Sequence, residues 1–172
     1  TYVLEPSALA RMPGDQKLSI ERVVFPQMVA DQSLFAMWSN DYWIDAGRPD
    51  TFIEANVHVS KRSAHATDAP IHPTATVAAS AVIIDSVIGE NATVSDGSRI
   101  QHSVLLPGAN IGQGAVVIDS LVMGKVGANS QVTNSIIGST GVVGDNEVCN
   151  NASVPAHDPA QVPEKSPEKS PE

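Results

Sequence analysis

No aromatic residue follows Phe52; all seven, Tyr2, Phe25, Phe35, Trp38, Tyr42, Trp43 and Phe52, lie in the front third of the chain. A core without rings is narrow and built from aliphatic and small side chains, so the remainder packs by different rules from the front. Cys149 is the single cysteine, which excludes an internal disulfide and fits a reducing, cytoplasmic compartment. Basic residues are scarce, 10 Lys and Arg against 19 Asp and Glu, for a net charge of −9. Such a surface repels phosphate backbones and anionic lipid, so neither nucleic acid nor a membrane is expected as a partner. No apolar run approaches the ~20 residues of a membrane span, and no signal peptide opens the chain. The first residue is Thr1, and Tyr2-Val3-Leu4 already reads as a strand, so the chain is expected to begin inside a fold.

What the chain has instead of rings is a repeat. The triplets Asp85-Ser86-Val87, His102-Ser103-Val104, Asp119-Ser120-Leu121 and Asn134-Ser135-Ile136 set their serines 17, 17 and 15 residues apart. Between them aliphatic residues recur every five or six positions: Ile71, Val77, Ile83, Ile88, Val94, Ile100, Leu106, Ile111, Val117 and Met123, then Val126, Val132, Ile137 and Val143. Small residues follow many of these by four places, at Ala75, Ala81, Ala92, Ser98, Ala115 and Ser130. Three short strands joined by three tight corners make one triangular coil of about 17 residues, its aliphatic side chains inward and stacked from coil to coil. Gly and Asn at the corners tolerate positive φ. Ten of the twelve glycines lie between Gly89 and Gly144; in helix interiors each costs about 1 kcal/mol, which rules against a helical reading. An antiparallel sandwich accommodates short strands too, but not a recurring coil length. The expectation is four to five coils from about Ile71 to Asn150. The pattern resembles the hexapeptide-repeat family, and that resemblance implies a left-handed parallel β-helix, against the usual right-handed preference of parallel crossovers.

The front reads as an α/β pattern. Tyr2 to Glu5, Leu34 to Ser39 and Tyr42 to Ile44 read as strands; Pro6 to Met12, Ser19 to Ala30 and Pro49 to Val57 read as helices. Ser19 is placed to cap its helix, and Pro26 to kink or break it. The expected limits are a front domain over 1–60, a linker over 61–68, the β-helix over 69–153 and a disordered tail over 154–172. The tail ends in a repeated Pro-Glu-Lys-Ser with no apolar residue after Val162.

Three motifs in order carry a second resemblance: Tyr2-Val3-Leu4-Glu5-Pro6, then Ser19-Ile20-Glu21-Arg22-Val23-Val24-Phe25-Pro26, then Tyr42-Trp43-Ile44-Asp45-Ala46-Gly47-Arg48-Pro49. They resemble the last third of the Rossmann-like catalytic domain in sugar-1-phosphate nucleotidyltransferases, most of all the mannose-1-phosphate guanylyltransferases (GDP-mannose pyrophosphorylases). That family continues directly into a left-handed β-helix. The resemblance implies synthesis of a GDP-mannose-like nucleotide sugar from a nucleoside triphosphate and a sugar 1-phosphate, with Mg²⁺. It makes Asp45 one of two magnesium-holding carboxylates, gives Gly47 the tight turn beyond it, and puts Glu21 and Trp43 near the sugar. Taken alone, Asp45 reads as a turn aspartate before glycine, Glu21 as a first-turn helix acid, and Trp43 as core.

The family's Gly-rich nucleotide loop, its first metal aspartate and its Glu-Lys pair have no counterpart in residues 1–60. The chain alone is therefore expected to lack transferase activity. The β-helix is expected to serve oligomerisation between like chains, or regulation. Two rival readings come from the repeat itself: a hexapeptide-repeat acyltransferase with His102 as base, and a purely structural assembly module. Against acyl transfer, His102 shares its corner with Asp85, Asp119 and Asn134. Only Arg99 and Lys125 lie between Ala69 and Asn150 to meet the phosphates of coenzyme A. A zinc site needs converging histidines, and His72 and His102 sit about two coils apart.

Overall fold

A computed structural model describes residues 2–14, 16–62 and 70–155. Most of the linker expected at 61–68 and of the tail expected at 154–172 falls outside the described residues. The chain divides between Tyr42 and Trp43 into two compact units, Thr1–Tyr42 and Trp43–Glu172.

The first unit is a 3-10 helix at Pro6–Arg11, a π-type turn at Ile20–Val24 and the α-helix α1 at Phe25–Ala30. Ser19 caps as expected, its Oγ accepting from Arg22 N–H at 3.3 Å. Pro26 falls in the first turn of α1, where a missing N–H costs nothing, and the helix changes pitch there instead of breaking. Ala8, Val24 and Met28 form a small core with Leu4, Leu18 and Phe25 around them. The segments expected as strands, Tyr2 to Glu5, Leu34 to Ser39 and Tyr42 to Ile44, run without strand pairing among the described residues. A strand exists through its ladder, and none of the three pairs with another strand among the described residues.

The second unit holds helix α2, Pro49–Arg62, and fifteen strands in five coils. Three parallel sheets form the faces of a prism. One contains β1 (Thr76–Val77), β4 (Thr93–Val94), β7 (Asn110–Ile111), β10 (Lys125–Val126) and β13 (Val142–Val143). The next contains β2 (Val82–Ile84), β5 (Arg99–Gln101), β8 (Val116–Ile118), β11 (Gln131–Thr133) and β14 (Val148–Asn150). The third contains β3 (Val87–Ile88), β6 (Val104–Leu105), β9 (Leu121–Val122), β12 (Ile136–Ile137) and β15 (Ser153–Val154). Registers such as Val77↔Val94 and Ile100↔Val117 advance by 17 residues. The step Asn110↔Lys125 is 15, because the Met123-Gly124 corner is two residues short. This five-coil parallel solenoid is consistent with the left-handed β-helix that the resemblance to the hexapeptide-repeat family implies.

Inward columns of Val, Ile and Leu fill the prism, and Ala92, Ser98, Ala109, Ala115 and Ser130 are fully buried at the corners beside them. Cys149 pairs in register with Val132 and completes one column. Three residues expected inside are not buried there, and the first is Ile71, bridged to Ile88 yet 41 % exposed. Leu105 and Val122 register with Ile88 and fill the prism, whereas Leu106 and Met123 stand one place past it. The serine corner takes one residue fewer than the others, so counting in sixes overshoots it.

The repeated serines are buried and form a ladder. Each Oγ donates to the carbonyl two residues back, as Ser120 does to Ile118 at 2.7 Å. Each then accepts the N–H one coil on: Ser103 to Ser86 at 3.1 Å, Ser120 to Ser103 at 3.1 Å, Ser135 to Ser120 at 3.0 Å and Ala152 to Ser135 at 3.1 Å. A corner amide that turns away from the strand ladder thus keeps a partner in the interior.

The third sheet presents a second aliphatic column outward: Val87, Val104, Leu121 and Ile136. Helix α2 covers it with Ile53 and Val57, four residues apart on one helix face. Fourteen residues make a helix of about 21 Å, and five parallel strands span about 19 Å, so helix and face match in length. The helix crosses antiparallel to the rise of the coils. Its Pro49 end lies by coils four and five, and Lys61 at its far end pairs with Asp85 of the first coil at 2.6 Å.

Candidate functional site

Asp45 lies in the exposed segment that leads from Trp43 into α2. Its carboxylate folds back over Gly47: a Cβ at Gly47 would stand 3.3 Å from Asp45 Oδ1. Gly47 therefore leaves the space in which that carboxylate sits. Arg48 Nε and Nη2 donate to the two oxygens of Asp50 at 3.1 and 2.8 Å, opening α2. The Asp50 carboxyl is held below its usual range, first by the Thr51 N–H and then by Arg48. Asp45 thus keeps a hard oxygen donor that Arg48 does not occupy. Trp43 is 76 % exposed, an open ring face and not the core residue that its type alone would imply.

Glu21 belongs to the first unit. Its Oε2 accepts from Ser19 Oγ at 2.9 Å and its Oε1 from Tyr2 Oη at 3.1 Å. Its own backbone N–H, then Ser19 and Tyr2, hold the Glu21 carboxyl pKa below its usual value, while the bond to Glu21 pushes the Tyr2 phenol pKa up. Tyr2 also stands edge-on to Phe25, with ring centroids 4.9 Å apart. Of the four residues singled out in the sequence, Asp45, Gly47 and Trp43 share one segment, with the Asp45 carboxylate in the space that a Cβ at Gly47 would crowd.

The residues of the rival readings stay apart. His102 Nδ1 lies 2.6 Å from Asp119 Oδ1, its equivalent one coil on. The same corner holds the pair Asn134 Nδ2 to Asn151 Oδ1 at 2.6 Å. Asp85, His102, Asp119, Asn134 and Asn151 all adopt positive φ, between 44° and 51°. His102 is thus one rung of a polar corner column. His72 turns to Thr74 Oγ1 at 2.9 Å. No group of three His, Cys, Asp or Glu suited to a metal occurs among the described residues.

One concavity was not read from the sequence. Where α2 overhangs the polar column, a groove of about 580 Å³ opens, lined by Pro49, Asp50 and Ile53 on one side and the column from His102 to Asn151 on the other. Its signal was present in the outward aliphatic residues after each repeated serine, since such a stripe calls for a cover.

Residues 65–158 match the family model described as the GMPPB C-terminal domain. A mannose-1-phosphate guanylyltransferase of Mycobacterium tuberculosis is 28% identical over 67% of this chain and 35% of its own length. A probable mannose-1-phosphate guanylyltransferase 3 of Oryza sativa is 31% identical over 91% of this chain and 47% of its own length. The chain thus spans half or less of the curated relatives it matches. A crystal structure of a perosamine N-acetyltransferase mutant from Caulobacter crescentus aligns over 48% of this chain and 50% of its own, with 22% identity and a TM-score of 0.27, too low to carry an argument.

Proposed function

Since the chain belongs to the GMPPB C-terminal domain family, and so is the C-terminal part of a sugar-1-phosphate nucleotidyltransferase, we propose that the whole enzyme joins GTP to mannose 1-phosphate. In that reaction a phosphate oxygen of the sugar phosphate bonds to the α-phosphorus of GTP, and the bond to the β-phosphate breaks. GDP-mannose forms and pyrophosphate leaves. The single observation that carries this reading is the similarity to a guanylyltransferase across 91% of the chain, front and solenoid together.

In this reading Asp45 holds Mg²⁺ as one of its ligands. Its carboxylate fits the role because it is a hard oxygen donor, exposed and free of Arg48. Held there, Mg²⁺ would neutralise the charge that gathers on the reacting phosphates and help align them. Gly47 leaves Asp45 room to turn, and α2, clamped to the solenoid by Ile53 and Val57, anchors the segment from its far side. Trp43 offers an open ring for a sugar face; Glu21, fixed by Ser19 and Tyr2 within the first unit, keeps the sugar-side role that the resemblance gives it. The solenoid serves contacts between like chains or regulation, and the protein works in the cytoplasm.

The test is nucleotide choice. The N-terminal half of the rice relative, joined in register ahead of this chain, is expected to release pyrophosphate with mannose 1-phosphate and GTP, and much less with ATP. A folded chimera that prefers ATP, or that turns over neither, refutes the reading.

A further inference from the structure

The groove between α2 and the polar corner column has a chemistry of its own. His102, Asp119, Asn134 and Asn151 come from four successive coils and occupy one corner, each with φ between 45° and 51°. Three coil steps of about 4.8 Å set them along roughly 14 Å. Their mutual bonds, His102 to Asp119 and Asn134 to Asn151, each spend one polar atom of a side chain. The second Asp119 oxygen and the Asn134 carbonyl remain as acceptors and the Asn151 amide nitrogen as a donor, with His102 Nε2 beside them. Ile53, Ile136 and Ala152 lay an apolar strip beside that row.

Charge then narrows the occupant. No Lys or Arg lines the groove among the described residues. Its two carboxylates already have partners, Asp50 in Arg48 and Asp119 in His102. A phosphate would meet two carboxylates and no guanidinium or ammonium, which disfavours nucleotides, sugar phosphates and coenzyme A. What fits is a neutral molecule with hydroxyls on one edge and C–H groups on one face, long enough to run along several coils. The coil spacing is of the same order as the repeat of a pyranose chain.

We propose that this groove binds a short neutral oligosaccharide, at a site separate from that of the anionic reactants. The inference rests on the groove alone and stands whether or not the guanylyltransferase reading holds. The test uses the full chain with mannotriose and maltotriose as probes, mannose 1-phosphate and GTP as anionic controls, and saturation-transfer NMR with calorimetry as readouts. Asn134→Gly and Asn151→Gly remove the rungs yet keep a residue at ease with positive φ, so the coils stay folded; circular dichroism verifies that. At least one trisaccharide is expected to bind, the double variant to weaken it tenfold or more, and neither phosphate compound to displace it. Absence of trisaccharide binding, binding unchanged in the folded double variant, or displacement by the phosphates overturns the proposal.

Discussion

Lys61 Nζ lies 2.6 Å from Asp85 Oδ1, and that ion pair ties the last turn of α2 to the first coil of the solenoid. Hydrogen bonding to Lys61 first, then its charge, holds the Asp85 carboxyl below the 3.8 of a free aspartate. A depressed carboxylate contributes stability above its unfolded value and loses it as pH falls through the folded one. The ¹³Cα shifts of residues 59–62 are therefore expected to move toward coil values only below about pH 4. Asp85→Asn removes that step. Both side chains are more than half exposed, so the change is local, and a step that survives in Asp85→Asn contradicts the assignment.

The grip of α2 on the solenoid is apolar. Ile53 is 2 % exposed and packs with Val104 and Leu121. Ile53→Ala is expected to cost about 2–5 kcal/mol at this face. Hydrogen exchange should rise throughout α2 while the inward columns keep their protection. Equal loss of protection in both would mean that helix and prism unfold as one.

The serine ladder carries a separate expectation. Ser120→Ala leaves the Ser135 N–H without its acceptor inside the prism. Urea unfolding should show a loss of about 1–3 kcal/mol, the cost of an unsatisfied buried donor. Ser139→Ala, on an exposed corner, should change stability by less than about 0.5 kcal/mol.

The short corner makes a fourth. A Cβ on Gly124 would overlap the carbonyl oxygens of Gly138 and Gly141, whereas one on Gly108 meets nothing. Gly124→Ala is expected to cost about 3 kcal/mol or more, at the upper end for overpacking. Gly108→Asn, at φ +78°, costs no more than about 1–2 kcal/mol, since Asn visits that region readily. Melting temperatures rank the two, and the reverse order would contradict the 15-residue coil.

The solenoid was legible because its period is covalent: equivalent residues lie 17 apart, or 15 across the one short coil, whatever the packing. The error at Leu106 and Met123 arose inside that period, where one corner is a residue shorter and two adjacent aliphatics compete for the inward place. The cover by α2 was harder to read, because Ile53 and Val57 find Val104 and Leu121 some fifty residues on, with no local pattern linking them. In the front, Tyr2 to Glu5 and Leu34 to Ser39 have strand-like composition, but composition does not supply a neighbouring strand. Trp43 reads as core by type, and only the surroundings of its segment reveal it as exposed. The polar corner column was visible residue by residue; the groove beside it required the helix.

Asp45 offers the most direct test of the account. The chimera that carries the N-terminal half of the rice relative ahead of this chain is assayed for pyrophosphate release from GTP and mannose 1-phosphate across a magnesium titration, with Asp45 intact and as Asn. Loss of a residue that only supports a metal ligand costs about 10–100-fold. Replacing the ligand itself should therefore lower turnover at least about a hundredfold and shift half-activation to higher magnesium. Turnover and magnesium dependence unchanged in Asp45→Asn would contradict the account.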